Sequence, residues 1–314
     1  MTSPEWLIER GIGESRAVRI EGGEIVEARI LIDGIVPAGT ILDARLARAG
    51  KPAIAVADGQ EYVLRAGAPD ATEGQPIRIE VVRETIPGAE PWKRPLARIS
   101  GEDPREPDFP VAEIPFPSPR DALEEAGWSD MLEEARSGIV AFAGGGLRVS
   151  PTPAMTLIDV DGTLPLLELA MAGAKAAARA ILRHGIGGSI GVDLPTVQGK
   201  EQRTAIGAAV DAILPNPFER TAVNGFGFLQ IVRPRLHASL FELAADRAAF
   251  EARALLRAAV RETGGVRLAV HPAVHALLEG RPGWLEALAR QVGGPVALRS
   301  DAKLTISGGH AEKA

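Results

Sequence analysis

The chain of 314 residues reads as an α/β protein that carries a small β-barrel ahead of its main sheet. Two observations predict this. From residue 15 to residue 86, short apolar runs alternate with polar residues and break at glycine-rich turns, as strands do. From residue 121 the period lengthens, and apolar strands alternate with long helical stretches, as in parallel βαβ units. The length suggests about two domains, or one domain with an insertion. A composition of 46% hydrophobic and 24% charged residues, with mean hydropathy +0.05, is that of a soluble globular protein.

Each element follows in order. Val18 and Ile20, then Glu21-Gly22-Gly23-Glu24, then Val26, Ala28 and Ile30 predict a hairpin around a Gly-Gly turn. Thr40 to Arg48, Ile54 to Val56, Tyr62 to Arg65 and the alternating Ile77, Ile79 and Val81 follow, punctuated by Gly39, Asp58-Gly59 and Glu73-Gly74. Short strands at that spacing predict a small barrel over 33–86. Residues 87–120 hold nine prolines, from Pro87 and Pro91 to Pro117 and Pro119, and are expected to form an ordered connector without regular structure. A short helix near 121–135 leads to a Gly144-Gly145-Gly146 turn and strands at Leu147 to Val149 and Ala154 to Val160. A helix from Leu164 to Arg183 stops at His184-Gly185. A strand from Ser189 to Val192 then runs into Asp193-Leu194-Pro195, and a helix extends from Lys200 to Leu214.

The chemistry is concentrated where these strands end. Asp159 and Asp193 stand at the carboxyl ends of two strands joined by a helical crossover, the place where open α/β sheets bind ligands. If the strands are neighbours, their backbones lie about 4.8 Å apart and both carboxylates reach one cation. Two carboxylates that close repel, and a divalent ion is the usual remedy. Carboxylate-only ligation favours Mg²⁺ or Mn²⁺ over zinc. Asp161, two residues beyond Asp159, projects from the same face. The alternative is that these aspartates merely end strands or cap helices.

Several classes are excluded or disfavoured. A chain without cysteine has no disulfide, no thiolate zinc site and no cysteine nucleophile. No apolar run approaches the roughly 18 to 20 residues of a membrane span, and MTSPEWLIER lacks the layout of a signal peptide, so a cytoplasmic location is expected. A net charge of −6 argues against a general polyanion binder, although a local basic surface suffices for nucleic acid.

At these residues a resemblance becomes visible. TPAMTLIDVDG, HGIGGSIGVDLPT, GKEQRTAI and NGFGFLQIVRPRLHASLFE, in that order, resemble the catalytic core of the ribonuclease E/G family, and SGIVAFAGGGLRVSPTPA resembles the approach to its first catalytic strand. The resemblance implies an RNase H-like core, built from the hairpin in 1–32 and from 121–245, with 33–86 as a reduced OB-type RNA-binding barrel, 87–120 as a connector and 246–314 as a small C-terminal α/β domain. It implies one Mg²⁺ held by Asp159 and Asp193, hydrolysing single-stranded RNA internally to 5′-phosphate and 3′-hydroxyl ends. Asp161 falls where that family usually has an Asn, so it departs from the pattern. The family's zinc-binding cysteine pair is missing, so no zinc is expected and any oligomer would need other contacts. The family's pocket for the RNA 5′ end has no counterpart among the prolines of 87–120. Between residues 33 and 86 the one aromatic on which a base could stack is Tyr62.

TLIDVDGTLP by itself also resembles the first motif of haloacid-dehalogenase phosphatases, with Asp159 as nucleophile and Asp161 as general acid. That family needs a later Lys and a further acidic motif at a strand end. The candidates here are Lys175, Lys200 and the distant Asp301. Lys200, Arg203, Arg233 and Arg235 are candidate phosphate contacts, with solvated surface or carboxylate partners as the alternative. His271 and His275 have zinc-helix spacing but no adjacent Glu, and are expected to be structural. Phe226 and Phe228 alternate as core or stacking residues would, and the core is expected.

Overall fold

The computed structural model describes residues 6–87, 93–107, 111–118 and 120–313. Strands β1 (Trp6–Arg10), β2 (Glu14–Glu21) and β3 (Glu24–Ile32) run antiparallel in sequence. β2 and β3 are the predicted hairpin, turning at Gly22-Gly23, whose positive φ angles suit the twist of a two-residue hairpin loop.

Five strands then close the predicted barrel in the order β4-β5-β6-β8-β7: β4 (Ile41–Arg48), β5 (Ala53–Ala57), β6 (Gln60–Leu64), β7 (Pro76–Arg83) and β8 (Leu96–Ile99). Leu46, Ala53, Ala55, Tyr62, Leu64, Ile79, Val81 and Ala97 fill it. The barrel therefore extends past residue 86, and part of the presumed connector is regular after all. Proline harms a strand only where its missing N–H is needed. Pro95 stands just before β8, where its carbonyl accepts from the Val63 N–H at 2.9 Å. A second strand of the same stretch, β9 (Val111–Ile114), pairs parallel with β1 and completes a four-stranded sheet, β3-β2-β1-β9. Pro91, Pro110 and Pro119 lie outside the described residues.

The second half begins with α1 (Ala122–Glu125) and α2 (Trp128–Ser137), where one helix is predicted; Gly127, at φ 93°, breaks it. β10 (Ile139–Phe142), β11 (Gly145–Pro151) and β12 (Thr156–Gly162) form an antiparallel meander. α3 (Leu166–Arg183) carries the chain over to β13 (Gly188–Asp193), parallel to β12, and α4 (Lys200–Asp211) follows, as the βαβα pattern predicts. β14 (Glu219–Arg220) and β15 (Phe228–Arg233) complete a six-stranded sheet, β10-β11-β12-β13-β15-β14.

The hairpin of segment 1–32 does not join this sheet by strand pairing. It belongs to the separate sheet β3-β2-β1-β9 and meets the six-stranded sheet through a face. Val18, Ile25, Ala28 and Ile30 from that face share one core with Ile158, Val160, Ile190 and Val192 of the six-stranded sheet, with α2 and α3 between them.

The chain ends in α5 (Leu240–Ala245), α6 (Arg247–Ala259), β16 (Val266–Val270), α7 (Pro272–Glu279), α8 (Pro282–Val292), β17 (Val296–Ser300) and β18 (His310–Lys313), with sheet order β17-β16-β18. These elements include a three-stranded sheet with a core of its own. It is not free-standing, because α6 gives Phe250 to the main core and Ala252, Leu255, Leu256 and Ala259 to the second, which also takes Ile12 from the start of the chain. Among the described residues, no helix is long and apolar enough to cross a membrane.

Candidate active site

The site is built by strand alternation. On β12, Ile158 and Val160 are buried under the core, so Leu157, Asp159 and Asp161 face outward. On β13, Ile190 and Val192 are buried and Asp193 emerges at the strand end. The two strands are parallel neighbours, paired from Thr156↔Ile190 to Asp159↔Asp193. The two candidate ligands are thus the last register-matched pair, on backbones about 4.8 Å apart.

Neither aspartate caps a helix, and Asp159, expected at a strand end, lies within its strand: β12 runs on to Gly162 by pairing with β11, while β13 ends at Asp193. The N-cap of α3 is Pro165 and that of α4 is Gly199. Among the described residues, Asp159, Asp161 and Asp193 enter no side-chain hydrogen bond or ion pair. Two exposed, unengaged carboxylates are a hard-oxygen donor set of the kind that Mg²⁺ takes, with water or substrate oxygens completing its shell. That donor set fits the ion. Asp161 stands two residues beyond the last β12–β13 pair, opposite Gly146 of β11. Among the described residues, no three His, Cys, Asp or Glu side chains gather closely enough to hold a metal.

The predicted basic residues divide. Lys200 is exposed at the start of α4, on the connection that leaves Asp193, and Arg203 one turn on is part-buried with its Nη1 donating to the Val197 carbonyl at 3.4 Å. Arg233 and Arg235 lie elsewhere. β15 is antiparallel to β13, with Asp193 opposite Phe228 and Gly188 opposite Arg233, so Arg233 is five residues from the site, or roughly 17 Å of strand. Arg233 donates to the Ile186 carbonyl at 3.3 Å, and burial lowers its pKa while Glu27 opposes the shift. Arg235 is ion-paired with Glu242. Arg235 thus has the carboxylate partner of the alternative reading and Arg233 a backbone carbonyl, and the strand direction carries both away from the aspartate pair.

One basic residue escapes a reading by motif. Arg148 of β11 is exposed and lies directly opposite Asp159. A signal for it exists: the turn in which the Thr152 N–H donates to the Met155 carbonyl at 3.0 Å pairs Pro151 with Thr156, and counting back sets Arg148 against Asp159.

The segment NGFGF forms a tight loop beside Asp193. Asn224 Oδ1 accepts from the Phe226 N–H at 2.9 Å and the Phe228 N–H at 3.0 Å. The Thr196 hydroxyl donates to the Phe226 carbonyl at 3.0 Å, and the Leu194 N–H to the Gly227 carbonyl at 3.3 Å. Phe226 is not a core residue: its relative exposure is 83%, because the turn places it at the apex. Phe228 is part-buried and packs across Gly191 and beside Leu157.

The remaining candidates are structural. His271 caps α7 by accepting from the Ala273 N–H at 3.2 Å, and His275 pairs with Glu279 at 3.2 Å. Asp301 follows β17 in the C-terminal sheet and is bound by Arg299 at 2.9 Å and the Lys303 N–H at 3.0 Å, contacts that lower its pKa. It offers nothing to the aspartate pair. No family model matches the chain, and no curated protein matches it. The function is therefore read from the chemistry of this sheet edge and from the motif resemblance.

Proposed function

We propose that the chain is a Mg²⁺-dependent endoribonuclease that hydrolyses single-stranded RNA to 5′-phosphate and 3′-hydroxyl ends. The observation that carries this reading is the register match of Asp159 and Asp193, exposed and unengaged where the parallel pairing of β12 and β13 ends. The segments that resemble the ribonuclease E/G core supply the substrate class. When bound between Asp159 and Asp193, Mg²⁺ would polarise a phosphoryl oxygen and lower the pKa of a bound water.

The chain's own residues do the rest. Arg148, opposite Asp159, faces the same space and suits a phosphate oxygen, while Lys200 contributes a second cation at the exit from β13. Asp161, further along the same strand, accepts a hydrogen bond from water or a ribose hydroxyl. In hydrolysis a water oxygen bonds to phosphorus, the bond from phosphorus to the 3′ oxygen breaks, and that oxygen leaves with a proton. An open sheet face accepts the middle of a strand as readily as its end, which supports internal cleavage.

The test is incubation of the purified protein with a labelled A/U-rich single strand in Mg²⁺ or in EDTA. Internal cuts with Mg²⁺ and none with EDTA are expected. Asp159→Asn and Asp193→Asn should each slow cleavage by about a hundredfold or more, since several kcal/mol of charge stabilisation goes with the ion. Asp161→Asn, which restores the family's amide, should keep or raise turnover. A specific departure favours a second reading: with Asp161 in place of that amide, the chain binds RNA without cutting. Binding without cuts in any divalent ion would select it. Hydrolysis of p-nitrophenyl phosphate that is lost in Asp161→Asn, with no RNA cleavage in either protein, would assign the carboxylates to phosphatase chemistry instead.

A further inference from the structure

We infer that Phe226 is a stacking platform for an unpaired RNA base beside the carboxylate pair, an inference that rests on the ribonuclease reading. Among the described residues it is the one exposed aromatic. Tyr62, the ring that the barrel was expected to offer, is 1% exposed within the barrel core and presents no face to a ligand. A base that stacks on this protein has to do so elsewhere.

The loop holds the ring out by construction. Turn apices are usually polar, because an exposed phenyl ring forgoes the stabilisation of burial. Here Asn224 fixes two backbone N–H groups of the turn, and Leu194 and Thr196 tie the same turn to the exit of β13. Gly227 has φ 92°, and a Cβ there would collide with the Leu194 carbonyl oxygen. The backbone therefore cannot fold the ring inward without breaking four hydrogen bonds.

The position suits a nucleotide near the scissile bond. Phe228 is the register partner of Asp193, and Phe226 lies two residues from it in the turn that Leu194 and Thr196 tie to the exit of β13. Stacking is indifferent to base identity, so the platform would hold the strand against the site while Arg148 and Lys200 meet its phosphates.

The experiment uses the full chain and a short single-stranded RNA carrying one 2-aminopurine, in EDTA so that no cleavage occurs. The expected result is quenching of the fluorophore on wild type, and a loss of affinity of about 5- to 150-fold in Phe226→Ala. Phe226→Trp should restore it, which a merely structural defect would not allow. Wild-type binding that is unchanged in Phe226→Ala overturns the platform and leaves the nuclease reading intact. No RNA binding by wild type, with cleavage absent in Mg²⁺, overturns both. Unchanged quenching together with altered self-association of Phe226→Ala in sedimentation assigns the ring to protein contact and equally overturns the platform.

Discussion

Asp159 and Asp193, the proposed ligands, show how little of a candidate site lies in the single residue. Each is an ordinary strand aspartate until register sets them side by side, and the absence of caps or ion pairs among the described residues leaves both free for a cation. The contrary case is His237. Burial, with Arg29 and Arg233 adding repulsion, pushes its pKa down from 6.5 to about 4, although its Nδ1 lies 2.9 Å from the Ala238 carbonyl oxygen. A base whose folded pKa lies below its unfolded value is neutral in the fold while the unfolded chain binds the proton. Stability is therefore fully present above pH 6.5 and declines as pH falls toward about 4. The loss should be on the order of 2 to 3 kcal/mol. Urea titrations at pH 7 and pH 4.5 should show this decline in wild type and a shallower one in His237→Asn; equal slopes would remove His237 as its source.

At the scale of elements, the β13 exit and the NGFGF loop act as one piece, joined through Leu194, Thr196 and Asn224. Gly227 is the hinge of that joint, since only glycine combines its positive φ with so close an approach of the Leu194 carbonyl. Gly227→Ala should cost about 1 to 3 kcal/mol in unfolding free energy. It should also weaken the Phe226-dependent RNA quenching. A variant as stable as wild type would show that the loop relaxes at no cost and does not hold the ring.

Across the whole molecule, the parts are joined by buried charge. Glu14 of β2 accepts from Arg253 at 3.1 Å and is ion-paired with Arg257, both on α6, and burial lowers both arginine pKa values to about 10. Arg16 adds Glu9 at 2.6 Å and Asp121 at 3.1 Å, with Trp128 against both Arg16 and Arg257. This network fastens the first sheet to the helix that serves both cores. Glu14→Gln should therefore destabilise the whole chain by about 3 to 5 kcal/mol, because two guanidinium groups lose their buried counter-charge. One cooperative urea transition displaced to lower concentration is expected. A second transition, with the C-terminal unit melting alone, would show that the two cores are independent.

By itself the sequence determined the elements whose period is local: the hairpin around Gly22-Gly23, the barrel strands with their Asp58-Gly59 turn, and the crossover from β12 through α3 to β13. It also placed Asp193 at a strand end and Asp159 on the outward face of its strand, because alternation and chain direction are properties of neighbouring residues, whereas the run of β12 on to Gly162 came from its pairing with β11. What it could not fix is which strands become partners across long separations. β8 and β9 escaped notice among prolines because their stability comes from β6, β7 and β1, not from their own pattern. Arg233 and Arg235 looked like phosphate contacts because a motif carries no direction, and the antiparallel course of β15 took them to the far edge. Arg148 and Phe226 went the other way, since one gains its place from cross-strand register and the other from a turn that lifts an apolar ring into solvent. Tertiary structure decided these points because pairing and exposure are settled by which surfaces meet, a relation between distant segments that no local window contains.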